Sequence, residues 1–134
     1  MSSAGCSATP LARKLGVKPQ SNVMVQGAPD GWQIPGLPEG ASVVRTAKKA
    51  DVVVAFFRHS AELSARVAKL AQVVRPNGAL WLAWPRRAGG HDSDVTDNVV
   101  RQIVLPLGLV DVKVAALDQD WSGLKFVWRK ELRK

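Results

Sequence analysis

The chain has 134 residues, 46% hydrophobic and 22% charged, which is enough apolar length to bury a core without disulfides or metal and excludes a disordered segment. A single cysteine, Cys6, excludes an internal disulfide, and His59 and His91 are too few to build a Cys/His metal cluster with it. Nineteen Lys and Arg against eleven Asp and Glu give a net charge of +8, which admits polyanions as partners; the basic pairs Arg13-Lys14, Lys48-Lys49 and Arg86-Arg87 are scattered, and only Arg129 to Lys134 is a concentrated basic run.

Thr9-Pro10 is a helix start and Gly16 a stop, so Pro10 to Leu15 is read as a short first helix. Asn22 to Gln26 is a short apolar run that predicts a first strand, followed by the loop Gly27-Ala-Pro-Asp-Gly31 and a stretch through Gly40 too rich in Pro and Gly for a long helix. Ser42 to Arg45 and Asp51 to Phe57 predict two more strands, the latter apolar without alternation, as in a strand covered on both faces. Ser60 is expected to cap a helix that turns Leu63, Val67, Leu70, Ala71 and Val74 inward and ends at Pro76-Asn77-Gly78. Ala79 to Trp84 is a second continuous apolar strand, and Pro85 to Ser93 a polar loop. A helix from Asp94 or Val95 to Leu107 follows, with Val99, Val100, Ile103 and Leu107 inward and Gly108 closing it. Leu109 to Leu117 and Leu124 to Trp128 then form an antiparallel pair around a turn that contains Trp121-Ser122-Gly123.

Strands alternating with helices before a terminal hairpin predict a three-layer α/β/α, Rossmann-like domain over residues 1–134, with a mostly parallel sheet, a C-terminal antiparallel hairpin and loose ends at 1–8 and 130–134. No apolar run reaches the roughly 20 residues that span a bilayer, and Met1 to Gly16 lacks the order of a signal peptide. A cytoplasmic location without membrane contact is expected.

The step Arg75-Pro-Asn-Gly78 into a buried strand, together with the closing hairpin, resembles the middle and end of class I S-adenosylmethionine (SAM)-dependent methyltransferases. Thr9 to Gly16, Leu37 to Gly40, Ala83 to Arg86 and Gly108 to Lys125 resemble a bacterial family of domains of unknown function, whose signature includes Trp121, Ser122 and Gly123. The resemblance implies a reduced methyltransferase-like topology. The methyltransferase pattern of a glycine-rich loop after the first strand and an acid at the end of the second is altered: Pro29 removes an amide donor from the loop, and Arg45 and Thr46 stand where the acid would be.

The residues that remain to hold a cofactor are Gly27, Asp30 and Gly31, in the loop where a doubly wound sheet binds ligands. Trp84 with Arg86 and Arg87, and His91 in the following loop, form a candidate contact for an anion or nucleotide. Neither a catalytic residue nor a metal site is identified. With both cofactor handles replaced, the sequence reading is a non-catalytic, degenerate methyltransferase-like domain without cofactor, which binds a small ligand or a protein and is open to homodimerisation at its sheet edges. The alternatives are an atypical SAM-dependent methyltransferase and a basic nucleic-acid- or nucleotide-binding module.

Overall fold

The computed structural model describes residues 10–86 and 93–133. Thr9, expected to cap the first helix, lies outside them, as do Cys6, Arg87, His91 and Lys134. Six strands, β1 (Asn22–Gln26), β2 (Ser42–Val44), β3 (Ala50–Phe56), β4 (Val74–Pro85), β5 (Leu109–Ala116) and β6 (Trp121–Trp128), form one sheet in the order β2-β1-β3-β4-β6-β5. The first four run parallel, and β6 pairs antiparallel with both β4 and β5. This is the expected Rossmann-like α/β sheet with its terminal hairpin. Among the described residues no helix is long and apolar enough to cross a membrane.

The two faces of the sheet are covered differently. Helices α2 (Ser60–Val73) and α3 (Asp97–Val104) bury one face, where Leu63, Val67 and Leu70 pack with Val53, Leu80, Val100 and Phe126. Among the described residues the other face is covered by α1 (Leu11–Leu15) and the segment 27–41, which contains no helix because Gly and Pro punctuate it. Trp81, fully buried on that face, donates its indole N–H to the Leu15 carbonyl at 3.1 Å and so satisfies a helix-end acceptor. All five inward positions read for α2 are buried.

Several boundaries differ from the sequence reading. Helix α2 ends at Val73, three residues early, because proline at 76 disfavours helical backbone at Arg75; the chain is already extended at Val74, which pairs with Ala50. Ser60 is not its own cap: its amide and hydroxyl donate to Asp94 at 2.7 and 2.6 Å. Helix α3 starts later, capped by Thr96, whose hydroxyl accepts from the Val99 amide at 3.3 Å, and Pro106 converts its last turn to a 3₁₀ turn over Leu105–Leu107. Its fully buried residues are Val100 and Val104, whereas Val99, Ile103 and Leu107 are half-buried. Trp121, Ser122 and Gly123 belong to β6 and not to the turn, which is made by 117–120, with Asp118 accepting from the amides of Asp120 and Trp121. Gly123 is needed for space: a Cβ there would stand 3.0 Å from Leu117 and 3.1 Å from Trp81.

Candidate functional site

The carboxyl ends of the parallel strands meet at the turn that follows β1. Gly27 leaves the strand with φ +73°, and a Cβ at this position would lie 2.8 Å from the Phe56 carbonyl oxygen, so the chain passes directly against the end of β3. The Trp32 amide then donates to the Pro29 carbonyl at 3.1 Å, which closes a tight turn with Asp30 and Gly31 at its centre. Gly31 has φ +79°, as the third residue of such a turn requires. Proline and glycine thus shape this loop, and the sequence places Trp32 on its return limb.

Trp32 meets the edge of Phe56 at 4.9 Å between centroids, and Phe56 meets Trp121 in the same manner at 5.1 Å, which makes a row of three aromatics beneath the loop. The Trp32 indole N–H is buried and has no acceptor among the described residues. Two open clefts flank the turn. The first, of about 600 Å³, lies between Gly27–Trp32 and the end of β2, with Val43, Val44, Arg45 and Arg66 on its far side. The second, of about 530 Å³, lies between Pro29–Gln33, Arg58 just after β3, and the hairpin turn at Leu117–Trp121. Residues Pro29 to Trp32 are the wall common to both.

Polar side chains tie the rim of the first cleft together. Gln26, the last residue of β1, donates to the Arg45 carbonyl at 3.1 Å and accepts from the Arg66 guanidinium of α2. Asp30 is the one carboxylate lining that cleft among the described residues. In the second cleft the Arg58 guanidinium stands 5.8 Å from the centre of the Trp121 ring. Beyond it, at the start of α2, Ser60 holds the Asp94 carboxyl below the usual carboxylate range, mainly through the hydroxyl hydrogen bond and then the amide.

Of the residues singled out from sequence, Gly27, Asp30 and Gly31 come together around the first cleft, and Trp121 lines the second. Trp84 is buried in the core on the α2 and α3 face, while Arg86 is exposed and donates to the Gln119 carbonyl at 3.4 Å. Arg87 and His91 lie outside the described residues. Ser122 and Gly123 face Trp84 and Ala83 across the β4–β6 ladder. Sequence reasoning misses Gln26, Trp32, Arg58 and Arg66. For Gln26 and Arg58 the available signal is their place at the carboxyl ends of β1 and β3, where α/β sheets bind ligands.

No protein-family model matches the chain, and no curated protein matches it. Solved structures do. A SAM-dependent methyltransferase from Aquifex aeolicus superposes with a TM-score of 0.60 at 13% identity, covering 87% of this chain and 86% of that one. DhpI in complex with SAH gives a TM-score of 0.60 at 10% identity over 90% and 83%. Magnesium protoporphyrin IX methyltransferase from Synechocystis PCC 6803 with bound SAH gives 0.50 at 16% identity over 66% of this chain and 51% of that one, so the present chain spans about half the length of that enzyme. These neighbours correct the expectation of a domain without cofactor: the architecture is one that carries SAM or SAH in other proteins, and the altered loop and Arg45 are not grounds for excluding it. The chain has the Rossmann-like fold of SAM-dependent methyltransferases.

Proposed function

We propose that this chain is an atypical SAM-dependent methyltransferase which seats SAM in the cleft between the Gly27–Trp32 turn and β2. The observation that carries the reading is the pair of open clefts sharing the Pro29–Trp32 wall, because group transfer between two bound molecules needs adjoining sites. A single cleft would equally serve the non-catalytic reading, which binds one small ligand; it is the second, adjoining cleft that favours transfer. Each cleft is within the size range of small-molecule sites.

The residues present fit the cofactor. Val43, Val44 and the Trp32 ring offer an apolar wall for a base. Asp30 would accept from hydroxyl or ammonium groups, and Arg45 and Arg66 would pair with a carboxylate, which reverses the usual placement of the acid at β2. When bound, SAM supplies an electrophilic methyl group. The chain's own contribution is positional: Gly27 pins the turn on Phe56, and the turn separates the two clefts. Membership of the bacterial family of domains without assigned activity is proposed on the segments Thr9–Gly16 and Gly108–Lys125, and a cytoplasmic location on the single cysteine.

Calorimetric and thermal-shift titration with SAM and SAH tests this. Saturable binding is expected, with Asp30→Ala weakening it about tenfold or more through loss of a charged hydrogen bond. A flat titration at millimolar ligand refutes the reading, since transfer requires binding.

A further inference from the structure

Away from the two clefts, the face of the sheet covered by α1 carries a concentration of cations that the proposed activity does not use. Lys113 of β5 and Lys125 of β6 stand directly opposite each other in the antiparallel ladder. Like charges in that position disfavour the sheet, so a surface serving solubility alone would alternate its signs here. Both side chains lie on the α1 face. The Lys113 ammonium stands 6.0 Å from the centre of the Trp81 ring, and the Lys125 ammonium reaches the backbone at Gly16, 3.8 Å from where a Cβ there would be. Lys18, in the loop after α1, adds a third charge, and Lys14 donates to the Ala116 carbonyl at 3.2 Å at the margin of the group.

Among the described residues, the elements that carry these lysines supply no counterion. Residues 11–26 contain Arg13, Lys14 and Lys18 but no Asp or Glu, and β6 contains no acid. The single acid of β5, Asp111, turns to the opposite face, where it pairs with Arg101 at 3.0 Å. None of the ion pairs among the described residues involves these lysines. Lys125 is partly buried, and its pKa is lowered by that burial, then by Lys113 and Lys18, with no acid opposing.

We propose that Lys18, Lys113 and Lys125, with Lys14 at the edge, bind the phosphates of a single-stranded nucleic acid laid across the α1 face. Lys18 and Lys113 are exposed and Lys14 and Lys125 half-buried, so the group is open to a thin, bendable polyanion whose phosphates follow the lysines from α1 to the hairpin. At five residues, α1 is too short to read a duplex groove as a recognition helix. This surface is distinct from Arg86 and the C-terminal basic run, and the inference does not rest on SAM binding.

Fluorescence anisotropy with a labelled oligouridylate, titrated with salt from about 50 to 200 mM, tests it. The full chain is expected to bind with an affinity that falls steeply with salt. In the double variant Lys113→Gln/Lys125→Gln the logarithmic salt slope is expected to flatten by about 1.4, at about 0.7 for each single-strand phosphate that is no longer neutralised. Its thermal midpoint is expected to hold or rise, since a repulsive pair has been removed. Lys130→Gln/Arg133→Gln, in the C-terminal run, is expected to keep most of the slope. The proposal is overturned by absence of binding at low salt, by an unchanged slope in the folded Lys113/Lys125 variant, or by loss of binding in the C-terminal variant instead. It is equally overturned if pyrophosphate binds as tightly as the oligonucleotide, or if vesicles containing phosphatidylglycerol retain the protein while the oligonucleotide does not.

Discussion

Gly27→Ala and Gly31→Ala add the same methyl group at two ends of one turn, and the structure assigns them different costs. Both glycines have positive φ, +73° and +79°, so each alanine carries a conformational penalty of about 1–2 kcal/mol. At Gly31 nothing lies within 4 Å of the added carbon, and the penalty ends there. At Gly27 the carbon meets the Phe56 carbonyl oxygen at 2.8 Å. That oxygen belongs to the backbone of β3, held between β1 and β4, and it cannot swing aside as a side chain would. Overpacking against an unyielding neighbour adds about 1–3 kcal/mol, so Gly27→Ala is expected to cost about 2–5 kcal/mol in total. At about 4 °C per kcal/mol for a chain of this size, the midpoint falls by about 8–20 °C for Gly27→Ala and about 4–8 °C for Gly31→Ala. Urea unfolding at matched m-values gives the two numbers. Equal losses would refute the close approach of the turn to β3, and with it the wall that separates the two clefts.

Three further perturbations test other parts of the structure. Gly123→Ala pushes a methyl against Leu117 at 3.0 Å and Trp81 at 3.1 Å and is expected to cost about 1–3 kcal/mol, with partial rescue in a double-mutant cycle by Leu117→Ala. Asp94 has a folded pKa below its unfolded one, so its contribution is present above the ordinary carboxylate range and is lost as pH falls through the folded value. Asp94→Ala should therefore be less stable than the parent at neutral pH, and the gap should close in acid; a gap independent of pH in denaturation curves would refute the Ser60 contact. Lys125 has a folded pKa lowered by burial and by Lys113 and Lys18, so the unfolded chain holds its proton to higher pH than the folded one. Stability is then expected to rise with pH in the alkaline window between the folded value and the ordinary lysine value. Lys125→Met should abolish that rise, as read by unfolding midpoints across the window.

The element order is legible in the sequence wherever burial sets the pattern. The unalternating runs Asp51–Phe57 and Ala79–Trp84 mark central strands because both of their faces are covered, and the spacing of Leu63, Val67 and Leu70 marks α2 because only one of its faces is. Errors fall where long-range contacts override local preference. Nothing local announces that Ser60 takes its cap from Asp94, that Val74 is drawn into the ladder by Ala50, or that Gly123 is small because Leu117 and Trp81 converge on it. The loop Gly27–Gly31 is legible as a tight turn at the ligand-binding edge, but its departure from the glycine-rich pattern points, on sequence alone, to loss of the cofactor. The fold shows why that step does not follow. Residues 27–41 form no helix, and the turn, held against the end of β3, has open clefts on both sides instead of being packed beneath a helix. The proline and glycines that spoil the motif are the same residues that keep both clefts open, and Trp32, carried back over Phe56 by that turn, gives them a common wall.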